Sequence, residues 1–117
     1  MIMSVQPARH NFKVWKGATF RYKFTYLQGG EGSQPMDLTG YTGRLVIKDP
    51  RTTTVYQTLT TENGGIIIDA MNGTIELLMS AGTTQGFDWK TGNYQLTLTK
   101  GDDTEPLLYG AVATTGF

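Results

Sequence analysis

The chain has 117 residues, no cysteine and a formal net charge of zero. That length suits one domain with a sizeable core, and the missing cysteines exclude disulfides, thiol nucleophiles and cysteine-held metals. Balanced charge gives no global field to gather nucleic acid or anionic lipid, no apolar run approaches membrane-spanning length, and 15 glycines with abundant threonine point to short strands and tight turns.

Residues 1–8 read as an N-terminal arm, too short and polar to pack alone. Met1–Pro7 has no basic region ahead of an apolar run, so no signal peptide is expected. A first strand follows at Asn11–Trp15, with Phe12 and Val14 on one face and Asn11, Lys13 and Trp15 on the other, ending at Lys16–Gly17. Phe20–Tyr26 has the clearest periodicity in the chain: Phe20, Tyr22, Phe24 and Tyr26 alternate with Arg21, Lys23 and Thr25, a period of two that points the rings inward. Gly29, Gly30, Glu31 and Gly32 open a flexible loop that runs to Pro35.

Asp37-Leu38-Thr39-Gly40-Tyr41 then turns the chain into a strand. Asp37 and Thr39 bond nearby amides, Gly40 allows positive φ, and Leu38 plugs the end of the core. In that strand Leu45 and Ile47 face inward, and Arg44 and Val46 outward. Asp49-Pro50-Arg51 is a turn, and Val55–Leu59 is a strand near an edge, since one of its faces is polar. Asn63–Gly65 turns into Ile66–Asp69. Asn72-Gly73 signals a hairpin to Thr74–Met79. Ser80–Gly86 can hold one helical turn, with Phe87 and Trp89 covering one end of the core. A strand with Tyr94, Leu96 and Leu98 inward, an exposed loop over Lys100–Glu105, and a final strand at Leu107–Thr114 complete the chain. That last strand is apolar on both faces, which places it centrally or against a partner.

About eight strands at this spacing describe an all-β, antiparallel β-sandwich with at most one short helical turn, over residues 1–117 as a single domain. Tyr94, at the start of the penultimate strand, sits like the tyrosine that locks a loop in immunoglobulin-like folds. The charge is unevenly split. Residues 1–51 hold eight basic and three acidic residues, net +5, and residues 52–117 hold two and seven, net −5. Strand interleaving would cancel this; a dipolar subunit, basic side against a neighbour's acidic side, is the sharper reading.

No residue set announces a reaction, and no catalytic, metal or cofactor-binding residues are assigned. His10, the single histidine, lacks an orienting carboxylate or fellow ligands and reads as a solvated strand-end residue. Asp102, Asp103 and Glu105 gather acids without calcium-loop spacing and read as a hairpin tip. Arg21 and Lys23 beside Trp15, on adjacent strands, suit cation–π packing or a subunit contact better than nucleic-acid stacking. Contacts are expected at edge strands, the arm, the glycine-rich loop and the hairpin tip. The interface candidates are thus Trp15, Arg21, Lys23, Gly29, Gly30, Glu31, Asp102 and Asp103. Asp37, Thr39, Gly40 and Tyr94 are structural turn residues.

Several short motifs recur in order: Gly17-x-Thr19-Phe20, Asp37-Leu38-Thr39-Gly40-Tyr41 with Arg44 and Ile47, Gly73-x-Ile75, Thr83-Thr84, Gly92-x-Tyr94 and Leu108-x-Gly110. In this the chain resembles a family of small β-sandwich virion proteins of tailed bacteriophages, found at the neck or collar or where tail fibres attach. The resemblance implies a non-enzymatic, homo-oligomeric adaptor in the virion, assembled in the host cytoplasm. Its partners would be copies of itself and other tail, neck or fibre proteins, with no cofactor, nucleic acid or membrane. A carbohydrate-binding sandwich using Trp15, Trp89 or exposed tyrosines for host-surface adhesion is the alternative.

Overall fold

A computed structural model describes residues 8–27 and 35–116. Among them the elements are β1 (Ala8–Arg9), β2 (Phe12–Trp15), β3 (Phe20–Thr25), β4 (Thr42–Lys48), β5 (Val55–Thr60), β6 (Ile66–Asp69), β7 (Thr74–Met79), α1 (Ala81–Gln85), β8 (Thr91–Lys100) and β9 (Asp103–Thr115). One sheet runs β1-β9-β8-β4-β5, with β2 also on β9; the other runs β3-β7-β6. The two form an immunoglobulin-like sandwich, as the strand pattern predicts. The count is nine rather than eight because the first strand breaks at His10–Asn11. Its two halves run parallel to β9, so the sandwich is antiparallel apart from this one strand.

Alternation decides which side chains enter the core. On β7, Ile75, Leu77 and Met79 are buried and the residues between them are half-buried; on β8, Tyr94, Leu96 and Leu98 are buried. These side chains meet Leu45 and Ile47 of β4 and Val14 of β2 in one apolar cluster. Full burial of each aliphatic side chain contributes roughly 1.5–3 kcal/mol. The β3 rings line one side: Phe12 lies 5.4 Å from Phe20 and 4.9 Å from Tyr22, both edge-on. These are favourable aromatic geometries.

Helix α1 is a single capped turn. Ser80 Oγ accepts from the Thr83 amide at 3.1 Å. The fully buried Thr84 hydroxyl accepts from the Gly17 amide at 3.1 Å and donates toward the Ala18 carbonyl at 2.8 Å. This satisfies a buried polar group and ties the β2–β3 turn to the helix.

The structure corrects two expectations. The arm ends a residue early, since Ala8 already pairs with Leu108; residues 1–7 lie outside the described residues. The Lys100–Glu105 loop is a two-residue turn at Gly101–Asp102, because Lys100 pairs with Asp103 and β9 continues through Glu105. Tyr94, placed like a loop-locking tyrosine, donates its hydroxyl to the His10 carbonyl, 84 residues away, at 2.6 Å.

That last bond belongs to a clamp on the strand break. The Ala111 amide donates to Asn11 Oδ1 at 3.0 Å, and the His10 amide donates to the Tyr109 carbonyl at 2.9 Å. A Cβ at Gly110 would fall 2.2 Å from the His10 carbonyl oxygen, so no larger residue fits while the strand stays in place. Tyr94→Phe should lower unfolding free energy by about 1–2 kcal/mol, the cost of a part-buried carbonyl losing its donor. Gly110→Ala should cost about 1–3 kcal/mol through overpacking. Urea unfolding with an unchanged m-value checks both, and a Gly110→Ala protein as stable as wild type would show that the strand is not clamped.

Candidate interaction surface

Inward Leu45 and Ile47 force Arg44, Val46 and Lys48 onto the outer face of the six-stranded sheet. Inward Tyr94 and Leu96 do the same for Asn93, Gln95 and Thr97. Register carries these positions across the sheet. One row reads Arg9–Tyr109–Gln95–Val46–Thr58, flanked by Ala111–Asn93–Lys48 and Thr97–Arg44–Thr60. Between them lies a shallow depression of about 590 Å³, lined by Arg44, Lys48, Asn93, Gln95, Thr97 and Tyr109 among others. Tyr109 is 42% exposed.

The face is basic. Arg9, Lys13, Arg44 and Lys48 occupy its strands, and among the described residues no Asp or Glu stands in a strand position on it. Asp49, just beyond β4, reaches the rim. Its carboxylate is already engaged, accepting from the Arg51 amide at 2.8 Å and from the Tyr56 hydroxyl at 2.9 Å. These bonds hold Asp49 below the usual carboxylate range, while burial first, and then the Asp49 carboxylate, pushes Tyr56 up.

The residues singled out in the sequence do not converge. Trp15 lies on the outer face of β2, 46% exposed, with the Lys13 ammonium 5.5 Å from its ring centroid. Arg21 and Lys23 lie on β3 in the other sheet, so the expected patch of Trp15, Arg21 and Lys23 on adjacent strands does not form. β2 pairs with β9 instead of β3. Arg21 meets Glu76 at 3.8 Å, and Lys23 stands opposite Glu76 in register. Strand pairing thus sets two cations of the first half beside an acid of the second, while Arg9, Lys13, Arg44 and Lys48 stay together on the outer face of the other sheet. Asp102 and Asp103 sit exposed at the β8–β9 turn, while Gly29, Gly30 and Glu31 lie outside the described residues.

Asp37, Thr39 and Gly40 form a local turn. Asp37 Oδ1 accepts from both the Thr39 amide at 2.9 Å and the Thr39 hydroxyl at 2.6 Å, which lowers its pKa. Gly40 takes φ +84°, a conformation that costs an L-residue about 1–2 kcal/mol. Leu38 is buried, and its amide donates to the Ala70 carbonyl at 3.0 Å. His10 is exposed at the strand break, stacked 5.0 Å from Tyr22. No three His, Cys, Asp or Glu residues gather into a metal site among the described residues. Trp89 is only 7% exposed and stacks on Tyr56 at 4.7 Å, which removes it from any sugar platform. Burial, then the nearby Tyr22, pushes the Tyr94 hydroxyl well above the usual range. The hydroxyl is therefore held as a donor.

The basic row escaped the sequence reading because it is assembled from five strands. Alternation places Arg44, Lys48 and Gln95 outward, but only topology sets Arg9 and Tyr109 beside them. No protein-family model matches the chain, and no curated protein matches it.

Three turn aspartates, Asp37, Asp49 and Asp69, have lowered pKa values because they accept local hydrogen bonds. Their stabilisation is complete above the unfolded value of about 3.9 and is lost as pH falls through the folded values. The thermal midpoint should therefore fall on acidification below about pH 4. Asp37→Asn keeps the Oδ1 acceptor but loses the charge, and should show a shallower acid decline. An identical acid profile in the variant would exclude Asp37 as a contributor.

Proposed function

We propose that this chain is a non-enzymatic assembly module: a homo-oligomeric structural component of a tailed-phage virion, seated at the neck, collar or tail, where it anchors fibres or neighbouring tail proteins. The observation that carries the reading is the outer face of the six-stranded sheet. It is broad, basic and aromatic, and it is built on regular strands rather than loops. Rigid strands hold recognition groups in fixed register, and an exposed ring among fixed cations is the kind of anchor that dominates protein contacts. The ordered motifs from Gly17 to Gly110 supply the resemblance to small phage sandwich proteins. Structurally they are fastenings of the fold, such as Thr84 under Gly17 and Tyr94 under His10.

Two measurements test this reading. Sedimentation velocity on the purified protein, alone and with neighbouring virion proteins, should show a defined oligomer or complex. Mass spectrometry of purified particles from the encoding phage should find the chain at a fixed stoichiometry. Its absence from particles would overturn the virion reading. Specific glycan-array binding lost on Trp15→Ala would instead favour the carbohydrate-binding module, for which Trp15 and Tyr109 are the exposed Trp and Tyr rings among the described residues.

A further inference from the structure

The basic face has a counterpart on the same molecule. The two longest strands, β8 and β9, end in the Gly101–Asp102 turn, with Asp102 and Asp103 both exposed. A Cβ built on Gly101 meets nothing within 4 Å, although the adjoining Lys100 side chain lies against Gly40, so it is the two turn residues that project. Lys100 is the nearby cation, and its ammonium lies 5.5 Å from the Tyr41 ring centroid. The depression on the outer sheet face is lined by Arg44, Lys48, Asn93, Gln95, Thr97 and Tyr109, with the Asp49 carboxylate at its rim. Among these groups, guanidinium and ammonium donors suit carboxylates, and side-chain amides suit the carbonyls of an incoming turn.

We propose that the acidic β8–β9 tip of one copy seats in the basic depression on the outer sheet face of the next, with Asp102 and Asp103 meeting Arg44 and Lys48. The proposal rests on the homo-oligomeric reading above and names its contact surfaces. Donor and acceptor patches are different parts of one chain, so the contact is heterologous. Such a contact repeats head to tail and closes into a ring when its rotation allows. A chain of zero net charge can associate this way because attraction comes from how its charges are arranged.

Charge reversal tests the contact from both sides. Wild type should sediment as an oligomer at low salt and weaken toward about 0.5 M salt, where screening shortens the reach of exposed charges. The face variant Arg44→Glu/Lys48→Glu and the tip variant Asp102→Lys/Asp103→Lys should each lose affinity about a hundredfold or more, as like charges meet. All four substituted positions are exposed, and circular dichroism should show both variants folded. Mixing the two variants should restore association, because each reversed surface then finds a complementary one. The quadruple variant should also self-associate.

An oligomer untouched by either reversal would overturn this contact while leaving the homo-oligomeric reading standing. A wild type that stays monomeric at every salt concentration would overturn both the contact and the homo-oligomeric part of that reading. The search of purified particles would still decide its virion part. A monomer that binds single-stranded DNA or heparin through Arg44 and Lys48 would overturn the proposal in favour of a polyanionic partner.

Discussion

The fold depends on one crossing: the broken first strand lying along β9. Tyr94 donates upward to the His10 carbonyl, Asn11 takes the Ala111 amide, and Gly110 leaves room for the carbonyl between them. With β8 on one side and β1 and β2 on the other, β9 becomes central. The crossing also completes the outer surface, because Arg9 and Lys13 reach the face only through their register with Tyr109 and Ala113. A buried hydroxyl with its pKa raised suits this position, because it stays a donor across the ordinary pH range.

A second fastening works on the same principle at the other sheet. Thr84 is the one buried polar residue among the described residues, and its hydroxyl bridges α1 to the Gly17–Ala18 turn. A third is local, with Asp37 closing on Thr39 so that Leu38 can cap the core. These three places coincide with the short motifs that gave the chain its resemblance. The motifs therefore describe how the sandwich is held together. The proposed contact would use side chains that no fastening requires: Lys48 and Tyr109, with Arg44 of the motifs.

Much of the fold was legible in the sequence because its strands alternate cleanly. Phe20–Thr25 and Thr91–Leu98 have a period that admits one inward face, and Asn72-Gly73 marks its own hairpin. The parts that were not legible depend on pairing between distant segments. Sequence neighbours β2 and β3 look adjacent, yet β2 joins β9 across about a hundred residues of chain. That choice splits Trp15 from Arg21 and Lys23. Trp89, expected to cover one end of the core and offered otherwise only as a sugar platform, is buried, with Tyr56 stacked on it at a nearly parallel 6°. Of the candidate surface, only the acidic tip could be read directly, since a hairpin turn needs no distant partner to define it.

Edges and faces offer partners different chemistry. An unpaired strand edge invites strand addition, and β5 lies at the edge of the six-stranded sheet. Part of that edge is already occupied. Asn63 Nδ2 donates to the Thr58 carbonyl at 3.0 Å, and its Oδ1 accepts from the Thr60 amide at 2.9 Å. One side-chain amide thus takes the place of a neighbouring peptide group, and the same Oδ1 also receives the Gly65 amide. An incoming strand would have to displace all three bonds before gaining its own. Beside this plugged edge, the basic face needs no such rearrangement: its side chains stand outward on paired strands, with their backbone bonds already made within the sheet. The balance favours recognition by side chains on the face, where charge decides the partner, over strand addition along β5, where almost any extended segment would serve.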